Sequence, residues 1–382
     1  MDAGAHEPAR ARLHGVVSAR RLTGALLFAC VAASLLAGIA GGLLRVGVAV
    51  ADGAWLGRAA LSHAALMMCG FMGTVIGIER AVAAKQPLAW SAPLLAGAGG
   101  LLVLEGATAA GGVAFIVAGV AFIAVNTMLL RRQRAAHTAL LLASACAWCA
   151  GNLLFAAGAS PAAVLPWWFA FLVMTVAAER LEMTRLMRRR PAAQPALTAI
   201  LATLLLGAAL SAIWRAGGGV LFGASLFALA LWMFTFDIAR RTVRAEGLSR
   251  YMAVCLLAGH AWLAAGGIAW AAHALGWPTR DLALHALGLG FLVSMILGHA
   301  PVILPAIARV KLLFGPFFYV PFAVLHLSLL LRLGAGLVDF QARRDGAVLN
   351  AVALALFVLT IVAAALAWQR RHGGRAADTR IP

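Results

Sequence analysis

Long apolar runs separated by short polar segments follow one another along almost the whole chain. Each run approaches the ~20 residues that a helix needs to cross a hydrocarbon core about 30 Å thick. The pattern predicts an all-α integral membrane protein with twelve transmembrane helices. The predicted spans cover residues 22–44, 60–84, 89–109, 110–130, 137–157, 161–187, 194–213, 217–238, 250–275, 281–308, 315–335 and 347–369.

Composition supports the same class. The mean hydropathy is +0.94, and 63% of residues are hydrophobic while only 12% are charged. A soluble globular domain carries about 25% charged residues, so the composition excludes that class and makes the lipid bilayer the expected environment. All five cysteines fall within predicted spans, which does not favour a disulfide framework.

The net charge of +18 would suggest nucleic acid binding in a soluble protein. Here the basic residues concentrate in alternate short loops, and under the positive-inside rule both termini are then cytoplasmic. We therefore interpret the charge as a sign of membrane topology and expect no nucleic acid partner. These basic sites are Arg10 to Arg21, Lys85, Arg131 to Arg134, Arg185 to Arg190, Arg240 to Arg250, Arg309 with Lys311, and the tail after Trp368.

Three segments of the chain resemble one another. They are Phe71-Met-Gly-Thr-Val-Ile-Gly-Ile-Glu79-Arg80, Phe171-Leu-Val-Met-Thr-Val-Ala-Ala-Glu179-Arg180 and Phe291-Leu-Val-Ser-Met-Ile-Leu-Gly-His299-Ala300. We call them the three echo segments. They fall in the second, sixth and tenth predicted spans, so the repeating unit is four helices long. The chain 1–382 is thus predicted to be a single transmembrane domain of three pseudo-symmetric four-helix arcs, at about 22–130, 137–238 and 250–369.

Two of the echo segments have a histidine upstream, His63 and His285. Both are predicted to lie about one turn below the outer surface, and their positions relative to the echo phenylalanines differ by two residues, roughly 3 Å. Neutral imidazoles are good iron ligands, so the pair could hold a haem from opposite sides. The alternative is that each histidine caps a helix end or bonds a neighbouring carbonyl. The sequence leaves both interpretations open.

A second group of polar residues, which we call the inner tier, comprises Glu79, Glu179 and His299 at equivalent positions of the three segments. It is predicted to lie roughly 21 to 24 Å further toward the cytoplasm than the two histidines. Charged groups at such depth usually face the bundle interior, which suggests a proton or ion path or a metal site. The alternative is that Glu79-Arg80 and Glu179-Arg180 form interfacial ion pairs with snorkelling arginines.

Three further histidines are weaker candidates. His260 and His326 are predicted near mid-membrane, where each is either a satisfied core residue or a copper ligand. His273 closes the ninth span near the outer face, close enough to His285 to be an alternate ligand or to support it by hydrogen bonding.

The helix count and the histidines near the outer ends of spans 2 and 10 resemble the catalytic subunit of haem-copper oxidases, in which such a pair holds the low-spin haem. That family also needs histidines in helices 6 and 7 for its copper. Residues 161–187 and 194–213 contain none. The resemblance therefore implies a haem pair without the oxygen-reducing centre.

The chain is more closely similar to the NnrS family of haem- and copper-associated membrane proteins of nitric oxide metabolism. The similar segments are Ser62-His63-Ala-Ala-Leu-Met-Met-Cys-Gly-Phe71, Leu257-Ala-Gly-His260-Ala-Trp262-Leu and Asp281-Leu-Ala-Leu-His285-Ala-Leu-Gly-Leu-Gly-Phe291-Leu-Val-Ser-Met295-Ile-Leu-Gly298. The family commonly continues with an arginine and a Gly-His-Thr-Gly-Arg run, of which only Gly298-His299 is recognisable here.

The NnrS resemblance implies a multi-pass protein of the bacterial inner membrane with b-type haem on His63 and His285, His260 near that site, and copper as a further cofactor. It implies nitric oxide as a ligand and an electron-transfer or nitrogen-oxide reductase partner. Whether such a protein turns over a substrate stays open.

The alternative from another class is a cofactor-free transporter or proton carrier that uses Glu79, Glu179 and His299. Internal repeats and intramembrane carboxylates also occur in carriers.

Overall fold

The computed structural model describes residues 6–184, 191–308 and 310–373, and side chains from residue 22 onward except 306–308 within those ranges. The basic segment 185–190, residue 309 and the tail from 374 lie outside the described residues, as do the side chains of Arg10 to Arg21.

In the described residues, twelve helices are long and apolar enough to cross a membrane. The predicted all-α class and the number of candidate spans are therefore confirmed. The helices are Leu22–Leu44 (α1), His63–Ala84 (α2), Pro87–Leu104 (α3), Thr108–Arg132 (α4), Ala136–Ala156 (α5), Pro161–Met183 (α6), Ala193–Leu210 (α7), Arg215–Phe236 (α8), Gly247–Ala274 (α9), Arg280–Pro305 (α10), Pro316–Leu337 (α11) and Phe340–His372 (α12).

The boundaries follow local backbone chemistry. A separate short helix, Ala54–Leu61, precedes α2, and Ser62 between them departs from helical geometry with φ −99° and ψ 11°. Helix α3 ends five residues earlier than predicted because Gly106 takes a positive φ of 94°, a conformation that glycine adopts without steric cost.

The three helices that carry the echo segments are the most buried of the twelve. In the most apolar stretch of each, 56% of residues are buried in α2, 78% in α6 and 61% in α10, whereas no other helix exceeds 50%. Glu79, Glu179 and His299 therefore lie on the three most buried of these helices.

The chain divides into two compact units, of which the first contains residues 1–45 and 49–125 and the second contains residues 46–48 and 126–382. In the first unit, α1, α2 and α3 meet at Ser34, Gly70 and Gly100. A Cβ added to Gly100 would lie 2.6 Å from Ser34 Oγ and 3.0 Å from the Cα of Gly70. Small residues thus allow close helix approach, as is common in membrane bundles.

In the second unit, α8 packs against both α7 and α9, α5 against α6, and α11 against α12. Trp148 stacks on Phe171 with ring centroids 5.2 Å apart, and the indole of Trp168 donates to Asn152 Oδ1 at 2.9 Å. A buried cluster that includes Tyr251, Phe318 and Leu325 joins α9 to α11. An aromatic contact and a side-chain hydrogen bond thus join α5 to α6.

Two helices contain a π-helical segment. It covers Leu66–Gly73 in α2 and Ala286–Val293 in α10. Each segment ends two residues after the phenylalanine of its echo segment, and each begins within three residues of His63 or His285. Helix α6, which has no such histidine, is α-helical throughout Pro161–Met183. π-Helical turns are rare and occur frequently at functional sites.

The crossing of α8 and α9 offers a test of the packing. A Cβ added to Gly223 would lie 2.5 Å from the carbonyl oxygen of Gly267, so Gly223→Ala must push two backbones apart. We expect the substitution to lower the free energy of unfolding by about 1–3 kcal/mol, as overpacked cores do. Thermal unfolding of the detergent-purified protein, followed by circular dichroism, measures the change.

Gly24→Ala is the matched control, because nothing lies within 4 Å of a Cβ added to this glycine of α1. Alanine is the better helix former by about 1 kcal/mol, so this variant should unfold at the same or a higher temperature. Equal unfolding midpoints for the two variants would contradict the crossing geometry.

Candidate functional site

His63 lies at the start of α2, against the glycines of α1. Its Nδ1 is 2.7 Å from the carbonyl oxygen of Gly38, and a Cβ added to Gly42 would lie 2.9 Å from its Cε1. Because a carbonyl oxygen only accepts, Nδ1 carries the proton, and in a neutral ring Nε2 then has the lone pair. Metal-binding histidines commonly show this arrangement, in which the second nitrogen donates to a carbonyl or carboxylate.

His285 lies one turn after Asp281 in α10. Its Nδ1 is 2.9 Å from Asp281 Oδ1 and 3.1 Å from the backbone oxygen of the same residue. Nη2 of Arg332, which only donates, lies 3.2 Å from Nδ1 and 3.1 Å from Nε2 of His285. The ring is therefore held between a carboxylate and a guanidinium.

Arg332 connects three helices around His285. This residue of α11 bonds both carboxylate oxygens of Asp281 in α10, at 3.1 Å and 3.0 Å, and reaches Asn350 Oδ1 in α12 at 3.4 Å. Asn350 in turn donates to Ser328 at 2.7 Å. Bidentate arginine–carboxylate pairs are strong and directional, so Arg332 fixes the position of Asp281 and with it the orientation of His285.

Sequence reasoning missed both Arg332 and the role of Asp281. Two signals were present. Asp281 and His285 have the i, i+4 spacing that brings side chains together on a helix, and Arg332 is the lone charge within the apolar helix Tyr319–Leu333. A lone charge in an apolar span usually faces a partner in the interior.

The three weaker histidines differ in their surroundings. Both ring nitrogens of His326 are engaged, since Nδ1 accepts from the indole of Trp262 at 2.9 Å and Nε2 is 3.4 Å from Ser294 Oγ. His273 is exposed, with Nδ1 3.4 Å from the oxygen of Trp277. His260 is fully buried, and neither ring nitrogen has a hydrogen-bond partner.

The described residues contain no group of three or more histidine, cysteine, aspartate or glutamate side chains arranged to hold a metal ion. His260 has one acidic neighbour, Asp237. A copper site at His260 or His326 stays a prediction.

The inner tier has two different environments. In the first unit, Glu79 pairs with Arg80 through Oε1 and Nη2 at 2.7 Å, as the ion-pair alternative predicts. In the second unit, Nδ1 of His299 donates to the oxygen of Met295 at 2.7 Å, and Nε2 accepts from Nη2 of Arg180 at 2.9 Å. Glu179 precedes Arg180 in α6.

The sequence pattern favours a snorkelling, interfacial Arg180, but the structure differs. The residue is only 7% exposed and points to His299 in α10. Within the described part of the chain Arg180 forms no ion pair with a carboxylate, and its Nε has no hydrogen-bond partner. Its helix, α6, is the most buried of the twelve, and its last turn packs inside the second unit beside α10.

Asp237 completes a buried polar group that sequence reasoning did not identify. It follows directly on α8 and is 1% exposed. Its Oδ1 accepts from the backbone N–H of Ala239 at 2.9 Å, while its Oδ2 lies 3.6 Å from Nε2 of His260. Burial raises the pKa of Asp237 above its usual range, and the positive charge of Arg180 opposes that rise.

Comparison with known proteins adds a family and no function. Searches of curated proteins and of solved structures gave no significant match. One family profile, described as a domain of unknown function (DUF8744), matches residues 21–366. Since this match covers all twelve helices almost completely, the chain belongs to the family described as domain of unknown function DUF8744.

Proposed function

We propose that this protein is a haem-binding membrane protein of NnrS type, which holds b-type haem through His63 and His285 and acts in the nitric oxide response or in nitrogen-oxide respiration. The observation that carries the proposal is the coincidence of histidine and π-helical segment. Both occur in α2 and in α10, where the π-helical segments hold the same register with the echo phenylalanines, and neither occurs in α6. Structural histidines alone do not account for that coincidence.

The proposal includes a membrane arrangement. The protein spans the bacterial inner membrane with both termini in the cytoplasm, as three related four-helix arcs. The alternation of basic loops supports this topology. The high burial of α2, α6 and α10, one in every four helices, supports the repeat.

The residues around each histidine suit iron ligation, considered separately within each unit. Gly38 and Asp281 offer acceptor oxygens to Nδ1 of His63 and His285. Gly42 lets the His63 ring lie directly against the backbone of α1. When bound, haem would supply one-electron transfer and a binding site for nitric oxide.

Arg332 has a defined part in this proposal. It is buried beside His285, and its guanidinium donates to Nε2 of that histidine. Nε2 is the nitrogen that would bind iron. Haem carries two carboxylates, and guanidinium groups bind carboxylates well. Arg332 would hold a haem carboxylate beside His285 while Asp281 keeps the arginine in place.

The second candidate is the proton or ion carrier without a cofactor. The observation that favours it is the buried bond between Arg180 and His299 in the inner tier, because charged groups inside a membrane bundle frequently mark ion paths. The two candidates separate easily. A cofactor-free carrier is colourless after purification, whereas bis-histidine haem gives a sharp Soret band that changes on reduction.

The first test concerns the ligands. We expect His63→Ala and His285→Ala each to abolish bound haem, because each removes one axial nitrogen. The measurement is the absorption spectrum of purified protein, oxidised and dithionite-reduced, with haem quantified as its pyridine complex. His372→Ala, at the exposed end of α12, is the histidine control, and Glu79→Gln should also keep full haem content. Haem-free wild-type protein, or full haem in both ligand variants, would refute the proposal.

The second test concerns Asp281. A carboxylate that accepts the Nδ1–H of a ligand makes the imidazole a stronger donor and favours ferric iron. Asp281→Asn should therefore weaken haem retention by about 10- to 100-fold and shift the midpoint potential to a more positive value. Retention in detergent and spectroelectrochemical titration measure the two effects. Asp339→Asn, at an exposed loop position, should change neither, and a more negative potential for Asp281→Asn would contradict the assigned role.

A further inference from the structure

The interior of the second unit contains a buried acid–base pair that the proposed haem chemistry does not use. Asp237 and His260 come from the end of α8 and the middle of α9, and both side chains have no solvent exposure. Among the residues that the structure describes, Oδ2 of Asp237 and both nitrogens of His260 have no hydrogen-bond partner. Buried polar atoms are nearly always bonded, so three unbonded atoms in one place require an explanation.

The two oxygens of Asp237 have different tasks. Oδ1 is used by the fold, because it accepts from the N–H of Ala239 and so caps the short helix Ala239–Thr242. Oδ2 faces Nε2 of His260 at 3.6 Å, which is too long for a hydrogen bond and leaves no room for a water molecule between the two atoms. A single proton on either atom would turn the contact into a donor–acceptor pair.

The neighbouring charged groups explain why this pair, and not His299, takes a proton. Nε2 of His299 already accepts from Arg180, so its protonation would place two donors against each other. Arg180 acts electrostatically on both Asp237 and His260. The arginines of the short helix, Arg240 and Arg241, are exposed. Helix α7, which also packs against α8, contains no ionisable side chain.

We propose that Asp237 and His260 form a buried proton-binding site, in which one exchangeable proton is shared between Oδ2 and the imidazole. Asp237 directly follows α8 and lies three residues before the exposed Arg240 of the short helix. The site does not rest on haem binding, since it uses none of the residues assigned to haem.

Opposed forces keep the proton exchangeable. Burial favours the neutral carboxyl and raises the pKa of Asp237, while Arg180 favours the carboxylate. Groups held between such influences are common where proteins handle protons. The same balance predicts the pH dependence of folding. An acid whose pKa is raised on folding stabilises the protein fully below its unfolded pKa of about 3.9 and loses that contribution as the pH rises through the folded pKa.

Infrared difference spectroscopy of the full-length protein during pH titration tests the site directly. We expect the band of a protonated carboxylic acid to persist well above pH ~4, where exposed aspartates are ionised, and to disappear in Asp237→Asn. Asparagine keeps the Oδ1 acceptor for Ala239, so the cap survives. Asp339→Asn is the matched control, because Asp339 accepts from the N–H of Gln341 at 2.8 Å in the same way but is exposed, and it should leave the band unchanged.

The pair is tested by His260→Phe. Loss of the imidazole should change the proton affinity of Asp237 by up to about tenfold, the equivalent of one hydrogen bond. The titration midpoint of the Asp237 band moves accordingly. An unchanged midpoint would overturn the pair, and the absence of an Asp237-dependent band above pH ~4 would overturn the site. Selective isotope labelling of aspartate in the wild-type protein gives the same band assignment if a variant does not fold.

Thermal unfolding provides an independent readout. Asp237→Asn cannot ionise, so its unfolding midpoint relative to the wild type should rise as the pH increases from acid to neutral. If the unfolding midpoint of Asp237→Asn relative to the wild type falls over this range, folding stabilises the ionised carboxylate of Asp237. That result would contradict the proton-binding site.

Discussion

A charged side chain inside an apolar helix bundle needs a polar partner, and in this protein the partner lies on a different helix. Arg332 binds Asp281 across α11 and α10 and reaches Asn350 in α12, while Arg180 of α6 binds His299 of α10. Removal of one partner from a buried pair is costly, by about 3–5 kcal/mol, because the other charge is left without compensation. These contacts therefore restrict how the interior helices can slide or rotate against one another.

Helix α10 belongs to both networks. His285 lies near its beginning and His299 lies 14 residues later, roughly 21 Å along an ideal helix. The π-helical segment Ala286–Val293 occupies the stretch directly after His285. A π-turn changes the rotational phase between the residues before and after it, so it sets which neighbours His285 and His299 each face. A substitution that restored regular α-helix would disturb both networks at once.

The fold was predictable from the sequence to a much greater extent than the site. Apolar length alone defines the spans, because backbone hydrogen bonding leaves helices as the common solution in lipid, and the predicted and observed bounds agree within a few residues for most of them. Residue pairs between distant spans have no such signal. The bond of Arg180 to His299 joins residues 119 apart, and nothing in the local pattern distinguishes a buried arginine at a helix end from one that snorkels to the interface.

The three helices with echo segments share their burial but differ in their histidines and in their π-helical segments. All three helices are interior, so the shared pattern accounts for burial. Helices α2 and α10 add a histidine followed by a π-helical segment, whereas α6 lacks both and has a buried Arg180 bonded to His299. If the π-segments were only a consequence of the repeated pattern, α6 would share them, since Phe171 and its neighbours continue the same apolar run. Their restriction to the histidine-bearing helices therefore indicates that the π-helical geometry accompanies the histidines and not the repeat itself.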